Sequence, residues 1–453
     1  MRIHFISIGG SVMHQLAIAL LLKGYLITGS DDEIFDPAKS SLEAAGLYPD
    51  KMGWDQQRIT ADLDAVIIGM HARADNPELL SAKALGLKIY SFPEYIYQES
   101  KDKTRIAIGG SHGKTSTTAM VMHILSQANK EFDYLVGARL KGFEQSVQIT
   151  DAPVLVAEAD EYPASALKPV PKFHFLFPHI AVITGIAWDH INVFPTFEFY
   201  LEQFNIFIQK IEPGGTLIYN ASDPVLQQLI TRQDRKDIQY KPYDIPAHEI
   251  KAGITYITLE GVTTPLQVFG DHNLLNLHAA FLVARSLGLS AEKILHAAAD
   301  FTGAAKRLEQ LFKQSEKGVH IFRDFAHAPS KVKATIEAVK KQFPDRLLVA
   351  VLELHTFSSL NAAFMVQYKG AMDAADSACV FYTPHTLEMK KMSPLPAEVV
   401  MEGFEKPGLQ VIQSKEQLLS FLQSIPRQNI NILMMSSGNY DGFDLADWIG
   451  ETF

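Results

Sequence analysis

The chain has 453 residues, with 41 basic against 51 acidic side chains, a net charge of −10 and a single cysteine, Cys379. That length suits roughly three domains of about 150 residues, and an acidic chain without a long Lys/Arg run is a poor nucleic-acid or membrane binder. A lone cysteine excludes an intrachain disulfide, and no apolar run approaches the ~20 residues that span a bilayer, so a soluble, cytoplasmic protein is expected.

In chain order, IHFISI (3–8), YLITGSD (25–31), AVIIGM (65–70) and KIYSF (88–92) read as strands separated by helical stretches, the pattern of parallel βαβ units. Gly9, Gly10 and Ser11 occupy a strand–helix turn, and Ser30 and Asp31 end the second strand. Such a turn suits a nucleotide, with Asp31 on a ribose hydroxyl, although the full G-x-G-x-x-G is absent. The charged stretch Gln98–Lys103 is predicted as a linker. A second alternating block has strands at RIAIGG (105–110), PVLVAEAD (153–160), IAVITGI (180–186) and GGTLIYNASDP (214–224). The more polar segment 225–265 is predicted to hold a small antiparallel sheet, and 271–288 to be a helix. A third block follows residue 309, with strands at HIFRDFA (320–326), RLLVAVLEL (346–354), SACVFYT (377–383) and NINILMMSSG (429–438). Three successive α/β domains, 1–103, 104–302 and 303–453, are therefore expected.

The strongest chemical signal is GGSHGKTST (109–117), lying between a strand and a helix. Glycines let backbone N–H groups approach phosphate oxygens, and a helix N-terminus favours negative charge. Lys114 would supply a point charge to the β/γ-phosphates, and Thr115 a hydroxyl to Mg²⁺. The generic loop G-x-x-x-x-G-K-[ST] fails, because Ile108 holds its first glycine position. What remains is the shorter G-S-H-G-K-T.

That shorter loop resembles the G-T-x-G-K-T of the Mur ligases, and further landmarks fall in that family's order. AEADEY (157–162), AWDHINVF (187–194), GDHNLLNLHAA (270–280), KRLE (306–309), DFAHAP (324–329) and MMSSGNYDGF (434–443) each resemble a family segment. The resemblance implies a Rossmann-like N-terminal domain for UDP-N-acetylmuramate, a central P-loop ATPase-type parallel sheet, and a Rossmann-like C-terminal domain for the amine. It implies ATP, Mg²⁺ and a carboxylate–amine ligation through an acyl phosphate, with clamping cations and Mg²⁺ dominating catalysis.

Carried over residue by residue, the phosphate loop Gly110, Ser111, His112, Gly113, Lys114, Thr115 and Ser116 would hold ATP, with Asn273 on adenine, Arg307 on the γ-phosphate and Asp324 on the ribose or the closing domain. Thr115, Glu158 and His190 would ligate metal, and Lys114, Glu158, His190 and Arg307 would carry catalysis. Gly9, Gly10, Ser11, Ser30, Asp31, His71 and Arg73 would hold the UDP-sugar, and His327 and His355 would face the amine. Domain closure around ATP is implied by the dispersal of these motifs.

The chain departs from the family at Ser7 and Val12, at Gly185 and Ala187 where T-N-I-E is usual, and at Ala328, where a second histidine is usual. No lysine lies between Lys172 and Lys210, so no carbamylated lysine is expected. Two branches compete for the acceptor, L-alanine and the tripeptide L-alanyl-γ-D-glutamyl-meso-diaminopimelate. Residues 171–198 and 69–78 favour the tripeptide. A folylpolyglutamate-type ligase, a plain P-loop NTPase and a non-catalytic UDP-sugar sensor are the rival readings.

Overall fold

The computed structural model describes residues 1–70, 72–137, 140, 142–165, 167–188, 193–304 and 307–453. The chain forms two compact units, Met1–Ile245 with Leu275–Ala298, and Pro246–Leu274 with Ala299–Phe453. Among the described residues no helix is long and apolar enough to cross a membrane.

The first unit holds two sheets. One has four parallel strands, β1 (Arg2–Ile6), β2 (Leu26–Ser30), β3 (Ala65–Ile68) and β4 (Ile89–Ser91), in the order β2-β1-β3-β4. Strand β3 is apolar throughout and β1 nearly so, its His4 being buried against Thr28 and Glu78, and both are almost wholly buried, as helix-covered parallel strands must be. The other sheet contains β5 (Thr104–Gly109), β6 (Asp133–Leu135), β7 (Val147–Gln148), β8 (Val154–Glu158), β9 (Ile180–Ile183), β10 (Thr216–Asn220) and β11 (Gln239–Tyr243). Its order is β11-β10-β9-β5-β8-β6-β7, parallel except for the short β7.

The second unit holds the antiparallel sheet β12 (Ala247–Lys251), β13 (Ile254–Leu259) and β14 (Val262–Leu266), and a larger sheet of β15 (Glu309–Gln314), β16 (Val319–Asp324), β17 (Leu347–Glu353), β18 (Ser377–Phe381), β19 (Gln410–Ile412) and β20 (Ile430–Met435). The larger sheet runs β15-β16-β20-β17-β18-β19, with only β15 antiparallel.

The strands expected from the apolar runs are present, and the polar segment does carry a small antiparallel sheet. That sheet belongs to the same unit as the last block of sequence, while the 103/104 boundary falls between two sheets of one unit and the 302/303 boundary just inside the second. The expected linker needs correction. Gln98–Ser100 complete the helix Phe92–Ser100, which a Ser91/Glu94 capping box starts and whose Tyr95 and Ile96 are buried. Lys101 and Asp102, exposed just beyond its end, imitated a linker.

Ser7 explains one departure at the level of the backbone. It adopts φ +68°, where glycine is the unstrained residue, and its buried hydroxyl has no hydrogen-bond partner among the described residues. Ser7→Gly is expected to stabilise the chain by about 1 kcal/mol, read as a higher denaturant midpoint at unchanged slope. A lower midpoint would show that the hydroxyl has a partner in solution.

Candidate active site

The parallel order of the second sheet gathers the loops after β5, β8, β9 and β10 at one edge. Connections leave β5 and β9 in opposite directions, so the crevice between them is the switch point where open α/β sheets bind ligands. The glycine loop enters this crevice tightly: a Cβ on Gly110 would lie 2.2 Å from Thr184 Oγ1, and one on Gly113 would lie 2.4 Å from Asn276 Oδ1. Gly110 and Gly113 take φ +127° and +82°, so glycine is required there on two counts.

Lys114 opens the helix Lys114–Gln127 and turns back over the loop, donating to the Gly110 carbonyl and to Glu161 Oε2, each at 2.7 Å. Burial opposes its charge, but the Glu161 carboxylate, reinforced by Asp160 and Glu158, outweighs burial and raises its pKa. The lysine is therefore a held cation at neutral pH. Thr115 Oγ1 donates to Glu158 Oε1 at 2.8 Å, and Gly137 N donates to Glu158 Oε2 at 2.9 Å. Register pairs Glu158 with Ile108, which fixes this carboxylate beside the start of the loop. Ser111 is buried: its hydroxyl meets Tyr200 OH at 2.8 Å and accepts from Ala187 N at 2.9 Å. His112 contributes its carbonyl to the Thr184 hydroxyl, and Ser116 is buried.

The departures at Gly185 and Ala187 have a conformational reason. Gly185 adopts φ +153°, a region essentially restricted to glycine, and its carbonyl accepts from Ser111 N at 2.9 Å. Asp223 Oδ2 holds Ile186 N at 2.7 Å. This segment is thus pinned by Ser111 and Asp223, without an asparagine or glutamate in the chain's own positions. His190 lies outside the described residues, as does His71.

Several expected contacts are spent elsewhere. Asn273 donates its amide to the Phe269 carbonyl at 2.9 Å and is buried. Asn276, which sequence reasoning placed on the same helix face but did not assign to the nucleotide, meets the loop, and Thr117 donates to it at 3.2 Å. Glu161, Asp160, Tyr200 and Thr184 were also missed. Glu161 stood in the quoted AEADEY string, yet an acidic run does not say which carboxylate turns to the lysine. Asp160 pairs with Lys172 at 2.8 Å, which uses one lysine of that region structurally.

In the first sheet, connections diverge between β1 and β3. Gly9 N donates to Asp31 Oδ2 at 2.7 Å, and Asp32 N to Asp31 Oδ1 at 2.9 Å, so Asp31 buckles the glycine turn to the end of β2. Gly10 N turns back to the Ser7 carbonyl. Ser30 is fully buried and its hydroxyl bonds the Glu78 carboxylate, which removes it from a ligand's reach. Ser11 and Arg73 are exposed. Among the described residues no side chain caps the helix Met13–Leu22, and a helix start of this kind suits an anion.

In the second unit, both Asp324 oxygens accept backbone N–H groups, from Leu308 and Ala326, and burial pushes its pKa up. Asp324 thus ties the Arg307–Leu308 turn to the end of β16. Arg307 lies over the Phe325 ring at 4.7 Å, and His327 Nδ1 donates to the Phe325 carbonyl at 2.8 Å. His355 Nδ1 is 3.8 Å from Glu353 Oε1, while Glu353 Oε2 accepts from Ser436 Oγ and from Tyr440 N at 2.9 Å. Glu353 carried no signal in the sequence beyond its place at a strand end.

Hard oxygen donors suit Mg²⁺, and the Thr115–Glu158 pair provides two side by side. Among the described residues no group of three His, Cys, Asp or Glu is arranged so that it could hold a metal ion.

A glycine loop with a held lysine, set at the switch point of a parallel sheet, defines the class of P-loop-type nucleotide-dependent enzymes. The comparisons give its family. Residues 2–104 match the Mur ligase family catalytic domain and residues 108–284 the Mur ligase middle domain. The UDP-N-acetylmuramate–L-alanine ligase of Caldicellulosiruptor bescii is 34% identical over 83% of this chain and 82% of its own. The corresponding Arthrobacter protein is 32% identical over 84% and 80%. Among solved structures, a UDP-N-acetylmuramate–alanine ligase from Thermotoga maritima superposes with a TM-score of 0.67 at 21% identity, covering 98% of this chain and 97% of that one. A murein peptide ligase from Psychrobacter arcticus gives 0.61 at 22%, covering 100% and 99%. The chain belongs to the Mur ligase family, ATP-dependent carbon–nitrogen ligases, and has that family's three-domain α/β fold.

Proposed function

We propose that the chain joins the carboxylate of UDP-N-acetylmuramate to the amine of L-alanine through an acyl phosphate, in the cytoplasm. The observation that carries the choice of substrates is the name shared by curated relatives 32% and 34% identical over more than four-fifths of the chain. The tripeptide acceptor, favoured by the resemblance of residues 171–198 and 69–78, becomes the second reading.

In this reading a carboxylate oxygen of the sugar attacks the γ-phosphorus and ADP leaves. The amine nitrogen then attacks the acyl carbon, loses a proton, and phosphate departs. Both steps concentrate negative charge on oxygen, so a cation already in place is worth most. Lys114 would release Glu161 for the β/γ-phosphates, with the loop N–H groups around it. Thr115 and Glu158, with His190, would hold Mg²⁺, which supplies charge neutralisation on the phosphate oxygens. Asn276, with Asn273, would read the nucleoside, and Arg307, moved off Phe325, would reach the γ-phosphate. Gly9, Gly10, Ser11, Asp31 and Arg73 would hold the UDP-sugar, and His327 and His355 the amine.

Phosphate release with ATP, Mg²⁺ and UDP-N-acetylmuramate tests this reading, comparing L-alanine with the tripeptide. Stimulation by L-alanine is expected. Stimulation by the tripeptide alone would replace the acceptor, and UDP-sugar binding without release under either condition would make the chain a sensor instead of an enzyme acting on this sugar.

A further inference from the structure

We propose that Phe35 is the platform on which the pyrimidine base of the sugar nucleotide stacks; this rests on the UDP-linked donor proposed above. Phe35 is 68% exposed, although it directly follows Ile34, which is 6% exposed. An ordered backbone carries it: the Phe35 carbonyl accepts from Lys39 N at 3.0 Å, and Asp31, four residues earlier, accepts Gly9 N through its side chain and Gly53 N through its carbonyl. The ring therefore stands in solvent from a fixed base and does not belong to a loose terminus.

Its place in the fold is specific. A Cβ on Gly9 would lie 2.9 Å from both Ile34 Cγ1 and Asp31 Oδ2, so the segment leading into Phe35 packs directly on the glycine turn. With the order β2-β1-β3, the loops after β2 and β3 flank that turn, and the loop after β3 presents a second exposed apolar side chain, Met70, 40% exposed. Two apolar groups thus flank the glycine turn, whose helix start suits a diphosphate.

Polar recognition on this side is largely spent. Both Asp31 oxygens accept backbone N–H groups, and Ser30 is sealed onto Glu78. A base offers a π-face whatever its edge pattern, and stacking on an aromatic side chain strengthens binding by about tenfold to a hundredfold.

The test is calorimetric titration of the full chain with UDP, in a saturating non-hydrolysable ATP analogue that occupies the phosphate loop. Phe35→Ala is expected to weaken UDP binding about tenfold or more, and Phe35→Tyr to retain it. The KM for the sugar nucleotide should rise with the alanine variant while kcat and the KM for ATP stay unchanged. Leu22→Ala removes an apolar side chain 71% exposed at the other end of the helix that follows the glycine turn, and should leave binding unaltered. Alanine and wild-type proteins binding UDP within twofold would overturn the role of Phe35. A wild-type chain that binds no UDP would instead overturn the donor reading itself.

Discussion

Lys114→Ala is expected to lower the rate of ADP formation in a single turnover by about 10²–10³-fold, the usual consequence of removing a preorganised charge from a transferring group. The structure adds a second effect. Glu161 is 1% exposed and paired with Lys114 at 2.7 Å, so the substitution takes the Lys114 ammonium away from a buried carboxylate. Breaking a buried pair in this way costs roughly 3–5 kcal/mol, so the variant should also melt earlier. The two effects separate in the double variant Lys114→Ala/Glu161→Gln, which removes the carboxylate charge and should recover much of the stability but none of the rate. Near-wild-type turnover in either variant would show that Lys114 serves only to neutralise Glu161.

Arg105→Ala should destabilise the first unit by roughly 3 kcal/mol through the carbonyls it leaves unsatisfied, a fall of about 10 °C in the melting temperature, without Arg105 meeting any substrate. Its side chain is 3% exposed at the start of β5. Nε donates to the carbonyls of Leu176 and Phe177, one terminal nitrogen to those of Ser100 and Lys101, and the other to Glu212 Oε1 at 2.8 Å. Removing it orphans the buried carbonyls of Leu176 and Ser100 and the part-buried ones of Phe177 and Lys101 at once, and a buried acceptor left unmade costs more than a bond lost in water. The Phe177 backbone at φ +41° also loses a restraint. Glu212 is 32% exposed, so water can take over its hydrogen bond and Glu212→Gln should cost well under 1 kcal/mol. A loss below ~1 kcal/mol for Arg105→Ala, measured by thermal and denaturant unfolding, would mean that the carbonyls find water instead.

Arg105 also shows what sequence patterning leaves out. RIAIGG announced a strand, but nothing in that string marks its arginine as buried. Its burial depends on carbonyls 71 and 72 positions away. Short strands were lost for a related reason: β6 has three residues and β19 three, too few to establish a period of two. The edge strand β15 mixes polar and apolar residues because only part of it is covered.

The candidate site divides along the same line. Gly110, Gly113, Lys114 and Thr115 were legible because local backbone geometry and chemistry coincide in one contiguous string. Contacts between distant segments were not: the pairing of Lys114 with Glu161, and of Gly113 with Asn276 and not Asn273, depends on which side of a helix or strand end faces the loop. Departures from the family pattern were visible as letters, whereas their meaning was conformational, as φ +153° at Gly185 and +68° at Ser7 make plain.

By itself the sequence determined the α/β class, the order of its apolar strands, the phosphate loop and the family, because these rest on short-range periodicity and on contiguous motifs. Only the tertiary structure decided that 246–274 joins the second unit, that Asp31, Ser30 and Asp324 spend their oxygens on the protein's own groups, and that Phe35 is left in solvent. Those outcomes follow from burial and hydrogen-bond satisfaction. Both are settled between residues far apart in the chain, which no local pattern can record.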